Sequence, residues 1–471
     1  MLQQQDTTAT LDDAATQDFS SRLRGELIRP DDPDYDNARA LYNGMIDKRP
    51  ALIVRCLDVA DVMSAVGFAR EHELTLAVRG GGHSGAGLAS CDGGLVVDLS
   101  RMKGIHVDPT ARTVRVEGGC TWGDVDHATH AFGLATPSGF ISTTGVGGLT
   151  LGGGIGYLSR TLGLTIDNLL GVELVLADGS VVSANADEHP DLFWAVRGGG
   201  GNFGVITSFL FKLHPISTVY GGPMFWPIEQ APDILPFWRD FILDAPEDIN
   251  GWFAFVTVPP GPPFPEQFHL QKMCAVVWCY TGPLDQAEER FRAIRAFRTP
   301  VIDFAGPIAW PALQSMFDGL YPPGLQWYWK ADFFGELSDK AIDLHTKYGA
   351  HLPTMHSTMH IYPINGAAGR VGKNDTAFSF RDANFAEVIV GVDPEPANND
   401  RMIAWAKDYW LALHPYSAGG AYVNMIMDEG EDTIKAAYRD NYVQLARIKA
   451  TYDPTNLFHT NQNIKPAADI G

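Results

Sequence analysis

The chain has 471 residues, of which 45% are hydrophobic and 19% charged, and its 56 Asp and Glu outnumber 35 Lys and Arg. A formal charge of −21 argues against a surface for nucleic acid or anionic membrane, and the length suits two or three domains with sizeable cores. Five cysteines (Cys56, Cys91, Cys120, Cys274 and Cys279) without a C-x-x-C pair leave no disulfide framework and no zinc ligand set, so buried thiols are expected.

The start of the chain is polar and acidic, without a basic and apolar leader, and no apolar run is long enough to span a bilayer; the expected location is the cytoplasm. Residues 1 to about 35 read as a loose arm. Val62, Ala65, Val66 and Ala69 share one helical face and lead into a strand over 75–79. That strand runs into Arg79-Gly80-Gly81-Gly82-His83-Ser84-Gly85. Consecutive glycines allow positive φ and close approach, and successive N–H groups there can form a concave nest for an anionic oxygen. An imidazole then stands at its lip. Strands are expected over 94–99, 113–117 and 172–177, the last entering a hairpin at Asp178-Gly179, and a short helix over 190–196 with Pro190 at its first position.

Gly80, Gly82 and Gly85 match G-x-G-x-x-G, as do Gly199, Gly201 and Gly204. Neither has the strand-then-helix context of a Rossmann site: the first runs on towards another strand, and the second follows a helix and enters a strand over 205–211. A third block, Gly145-Val-Gly-Gly148 with Gly152-Gly-Gly-Ile-Gly156, is costly in chain entropy, as suits backbone laid against a ring or a pyrophosphate. Tight turns in a small sheet are the plainer reading of that block alone. From about 220 to 415 the chain is rich in Trp, Phe, Tyr and Pro, which suggests a second, pocket-forming domain. Ile434, Ala437, Tyr438, Leu445 and Ile448 lie near one helical face, ended by Asp453-Pro454.

In combination, the Arg79–Ser84 run, both halves of the third glycine block, Asp167-Asn168, the run Phe193-Trp-Ala-Val-Arg-Gly-Gly-Gly-Gly-Asn202-Phe-Gly204 and Tyr452-Asp-Pro-Thr-Asn456-Leu-Phe resemble the covalent-flavin oxidases of the vanillyl-alcohol oxidase type, in the berberine-bridge branch. The resemblance implies an α+β fold. Residues 1–218 and 415–471 would form a two-part FAD-binding domain, and 219–414 a substrate domain with an antiparallel sheet and helices. It implies FAD bonded through its 8α-carbon to His83. It also implies cofactor contacts from Arg79, Gly80, Gly81, Gly82, Ser84, Pro137, Thr144, Gly145, Gly148, Gly152, Gly153, Gly156, Asn202, Gly204, Val205, Tyr422, Asn461 and Asn463. The cysteine that makes a second link in many members aligns with Ile141, so a single link is expected. Leu149 stands where many members carry histidine. Singly attached members, such as hydroxynicotine oxidases and the enterocin-pathway flavin oxygenase, are the more similar ones, and Thr144 corresponds to the residue lining the oxygen pocket of the latter.

The expected activity is an FAD-dependent oxidase working on a small organic molecule with molecular oxygen, as a monomer or homodimer, with no metal. A flavin oxygenase of the N5-oxide type, an oxygen-avoiding dehydrogenase and a redox-silent flavin-binding protein are the alternatives. His356, His360, Tyr362 and Tyr280 are candidate bases, with His360 aligned near the catalytic carboxylate of the similar oxygenase. An unperturbed imidazole titrates at pH ~6.5, near the optimum for such work. If 356–362 is a strand, His356, Thr358, His360 and Tyr362 share a face that lines the pocket or forms a polar exterior. Tyr422 and Asn424 resemble residues that contact flavin or substrate in the family. Arg381 is an anion anchor or a structural ion pair. The aromatic middle segment implies an apolar, ring-bearing or polyketide-like substrate.

Overall fold

The structure, a computed structural model, describes residues 12–468. It is α+β, built on three sheets. In the first, Glu26–Ile28, Leu52–Arg55, Leu95–Asp98 and Leu76–Arg79 lie side by side in that order. The last three are parallel, in register at Val54↔Val97 and Val78↔Val97. Their apolar runs suit strands buried on both faces. The helix Val59–Glu71 covers them with Val62, Ala65, Val66 and Ala69, as the spacing predicts, and Asp58 caps it by accepting from the N–H groups of Ala60 and Asp61. The glycine run leaves the carboxyl end of Leu76–Arg79, the edge of a parallel sheet where ligands bind.

The second sheet is antiparallel, in the order Ile105–Asp108, Thr113–Glu117, Val205–Lys212, Leu169–Val175, Val181–Asn185. The third has eight strands and runs through the middle of the chain, with Ile249–Thr257, Thr358–Pro363, Phe385–Asp393 and Gln326–Phe334 adjacent in that order. Its two faces divide by the strand period of two. Phe253, Phe255, Met359, Ile361, Phe385 and Ile389 pack beneath the helices Ala231–Asp244, Ala287–Phe297, Asp339–Gly349 and Asn399–Leu413. Trp252, Trp327, Trp329, Tyr362 and Val388 face the other way, against Tyr42, Ile155, Tyr157 and Leu158 of the N-terminal half. A cavity of about 380 Å³ opens between that aromatic face and the glycine loops.

Two expectations are corrected. The arm is ordered from residue 12: Asp13–Arg22 is a helix whose fully buried Phe19 stacks on Phe68 at 4.1 Å between ring centroids. Residues 1–11 of that arm lie outside the described residues. The C-terminal helix is two helices, Glu431–Tyr438 and Asn441–Tyr452, broken where Arg439 takes φ 46°. Both bury residues (Tyr438, Leu445, Ile448) in the core that holds Val114, Phe193 and Phe209, so one apolar stripe runs across the break. Among the described residues, no helix is long and apolar enough to cross a membrane.

Candidate active site

The N–H groups of Gly81, Gly82, His83, Ser84 and Gly85 have no hydrogen-bond acceptor among the described residues. Backbone N–H groups are rarely left unpaired away from solvent, so this run is a ready anion nest. The Gly145–Gly148 loop closes on it. A Cβ on Gly81 would lie 2.5 Å from the Gly145 nitrogen, and one on Gly145 would lie 2.4 Å from the Gly81 nitrogen. Only glycine at both positions allows this approach. Gly80, Gly81, Gly82, Ser84, Gly145, Gly148, Gly201 and Gly204 all line the cavity, and no Lys, Arg or Asp does among the described residues. A pyrophosphate here would be held by backbone dipoles, and the flat glycine walls leave room for a ring. The residues present fit FAD.

His83 stands at the cavity wall. Its ring stacks on Tyr42 at 3.8 Å with 17° between planes, and its Nε2 lies 3.1 Å from Thr143 Oγ1. Burial pushes its pKa down to about 4, so the imidazole is neutral, and nucleophilic, at ordinary pH. Thr144 lines the same wall, and its hydroxyl has no hydrogen-bond partner among the described residues. Ile141, at the position of the absent cysteine, also lines it, while all five cysteines are buried and free.

Tyr422 and Asn424 enter from the C-terminal segment. The Tyr422 hydroxyl accepts from the N–H of Gly154 at 2.9 Å and from Asn424 Nδ2 at 2.9 Å, with the Ile155 N–H at 3.4 Å. Burial still raises its pKa, so the phenol keeps its proton at rest. Asn424 also donates to the Leu149 carbonyl, and the missing Cβ of Gly152 makes space for its amide.

His360 lies on the strand Thr358–Pro363 and, with Thr358 and Tyr362, faces the cavity, so the shared face is the pocket face. The expectation of an ordinary imidazole is corrected: burial pushes its pKa down to about 3. Its Nδ1 is 2.6 Å from the Tyr362 hydroxyl, and its ring leans on Trp252 at 4.6 Å. Tyr280 belongs to the helix-covered face of the sheet, and His356 precedes the strand and does not line the cavity.

Several residues expected at the cofactor are placed elsewhere. The Arg79 guanidinium turns away from the cavity to Asp98, 3.7 Å off, and to the Ala38 carbonyl. Asn202 is a clasp: it donates to the carbonyls of Gly199 and Gln462 and accepts from the Ile464 N–H. Gly153 packs against Phe378, Gly156 against the Ser138 carbonyl, and Val205 lies in the core between the first two sheets. Pro137, Gly152 and Asn463 do not line the cavity, whereas Asn461 does, with its Oδ1 buried and unpaired. Arg381 is a structural ion pair, bidentate to Asp167 at 2.6 and 2.8 Å. Tyr42, Thr143, Phe140, Trp252, Trp327 and Trp329 went unnoticed in the sequence. Only the Trp-x-Trp repeat at 327 and 329 carried a signal, the period of one strand face.

The family described as FAD binding domain matches residues 50–185, and that described as Berberine and berberine like matches 421–465. An FAD-linked oxidoreductase of Dictyostelium discoideum is 34% identical over 455 residues, covering 95% of this chain and 96% of the relative. An (R)-6-hydroxynicotine oxidase of Paenarthrobacter nicotinovorans is 43% identical over 464 residues, covering 94% and 97%. The crystal structure of 6-hydroxy-D-nicotine oxidase from Arthrobacter nicotinovorans superposes with a TM-score of 0.84 over 94% of this chain and 98% of that one; the residues so paired are 27% identical. Glycine nest, ring-sized cavity and full-length similarity agree: the chain is an FAD-dependent oxidoreductase and belongs to the vanillyl-alcohol oxidase and berberine-bridge-like family.

Proposed function

We propose that this oxidoreductase is an oxidase of a small ring-bearing molecule, with FAD bonded through its 8α-carbon to His83 alone and dioxygen as the electron acceptor. When bound, FAD supplies the site that accepts a hydride from substrate carbon. The observation that carries the reading is the placement of a neutral imidazole, clamped between Tyr42 and Thr143, at the lip of five unpaired N–H groups. Attachment at His83 would replace one imidazole N–H and one 8α-methyl C–H by a carbon–nitrogen bond, with the two electrons and two protons going to dioxygen. No cavity-lining residue among the described residues offers a thiol for a second bond.

In this reading residues 1–218 and 415–471 hold the cofactor and 219–414 cover it. Gly81–Gly85 receive the pyrophosphate, with Gly145, Gly148 and Gly204 against the remainder of the cofactor. Tyr422, a phenol that keeps its proton, would donate a hydrogen bond to a polar atom of substrate, with its oxygen positioned by the N–H groups of Gly154 and Asn424. The unpartnered Thr144 hydroxyl meets oxygen. Free buried cysteines suit a reducing cytoplasm, where the chain works as a monomer or homodimer.

Intact-mass measurement of the purified protein tests the reading. One flavin adduct that survives denaturation is expected, and His83→Ala should give folded protein that releases its yellow colour in acid. An unmodified polypeptide mass in the wild type, or two adducts, would overturn single attachment at His83.

A further inference from the structure

Away from the glycine loops the cavity wall is mostly apolar and aromatic, and its polar groups are uncharged amides, hydroxyls and an imidazole. Phe140, Tyr321, Trp327 and Trp329 make its wall aromatic. Glu387 is the one acid among the described lining residues, and its side chain turns through the sheet to His345, 3.4 Å away on the helix-covered side. An ammonium entering this space would give up its water with no carboxylate to replace it. The opposing consideration is that aromatic faces attract cations.

The Tyr362 hydroxyl has one hydrogen-bond partner among the described residues, Nδ1 of His360. A buried phenol retains its proton and must place it, so Tyr362 donates and Nδ1 accepts. A neutral imidazole that accepts at Nδ1 carries its hydrogen on Nε2. That nitrogen has no partner among the described residues, and His360 lines the cavity.

We propose that Tyr362 fixes His360 as a hydrogen-bond donor, and that the site selects an uncharged ring compound whose carbonyl or phenolic oxygen accepts from His360 Nε2–H. The proposal rests on reading the cavity as the substrate site of an FAD oxidase. It makes His360 a specificity residue in place of a base.

Three probes share one skeleton: 1-tetralone carries a carbonyl, tetralin carries nothing, and 1-aminotetralin carries an ammonium. Each is titrated into the wild type as purified and incubated with FAD, at pH 7 without oxygen, followed by tryptophan fluorescence. Tetralone should bind at least about tenfold more tightly than either of the others, the discrimination expected of one buried hydrogen bond. His360→Phe should bring tetralone down to the level of tetralin and leave tetralin unchanged. Tyr362→Phe, which removes the group that orients the ring, should erode the tetralone preference in part. Equal or tighter binding of aminotetralin in the wild type would overturn the proposal without any variant, as would a tetralone preference that survives His360→Phe. Flavin content is recorded on the same samples: bound FAD without a tetralone preference defeats this proposal alone, and a tetralone preference without bound FAD defeats the oxidase reading alone.

Discussion

At Thr144 a hydroxyl lines the cavity with no hydrogen-bond partner among the described residues, one residue after the threonine that holds His83. Its carbonyl accepts from the Trp122 N–H at 2.9 Å, so the backbone is fixed whatever the side chain. Valine keeps the branched shape and deletes only the oxygen, which isolates the chemistry from the packing. If the hydroxyl meets oxygen, Thr144→Val should leave reduction by substrate unchanged and slow reoxidation in air by about tenfold, the effect of one hydrogen bond on a barrier. Stopped-flow reoxidation checks this, and identical traces for both proteins would remove Thr144 from the oxygen step. Thr143 acts earlier, through His83, and belongs to assembly of the site.

At the scale of elements, the C-terminal helix Asn441–Tyr452 is stapled to the second glycine run by one buried cation. Lys449, fully buried, donates to Asp453 Oδ2 at 2.6 Å and to the carbonyls of Asn202 at 2.6 Å and Phe458 at 2.9 Å, so all three of its protons are placed. Removing one member of such a pair strands the other charge, at a cost of about 3–5 kcal/mol. Lys449→Met is therefore expected to lower stability by about that much in denaturant unfolding, and the double variant with Asp453→Leu should recover part of the loss. The same helix shows what a sequence reveals and what it conceals. Strands over 76–79 and 113–117 and the helix Val59–Glu71 were legible because each repeats its apolar residues within a few positions. The break at Arg439 was not, because the segment carries no glycine or proline there and both halves bury one stripe. The glycine nest and His83 were legible because a nest is a local object. Tyr42 was not, because its partner Trp327 lies far along the chain and a neutral tyrosine near a turn has no pattern of its own. The depressed basicity of His360 was hidden for the same reason: it comes from rings contributed by separate strands.

Across the whole molecule, the aromatic sheet is sewn to the cofactor-facing half by buried polar stitches. Arg160 reaches the carbonyls of Ala245 and Ile249 and the amide of Asn365; Arg381 grips Asp167; Ser142 bonds Asp318. The helix Trp122–His130 supplies another, Asp126, whose carboxyl accepts from Trp310 Nε1 at 2.8 Å and Gln314 Nε2 at 3.4 Å. No cation stands beside it among these contacts, and burial pushes its pKa up to about 7. The sign follows from proton binding: an acid with a folded pKa above its unfolded value favours the fold where it is protonated. Its contribution is complete below pH ~4 and is lost as pH rises towards 7. Buried His345, pushed down to about 3, works in the opposite sense, stabilising above pH ~6.5 and losing that effect as pH falls. Asp126→Asn keeps an acceptor for Trp310 and cannot ionise. Urea unfolding at two pH values separates the contributions. At pH 5, already above the unfolded pKa, the variant should lead the wild type by only about 1–2 kcal/mol. At pH 8 it should be the more stable of the two by roughly 2–4 kcal/mol, because each tenfold change in proton affinity between the folded and unfolded carboxyl is worth ~1.4 kcal/mol. An equal offset at both pH values would mean that Asp126 is ionised throughout and that the joint holds a full charge.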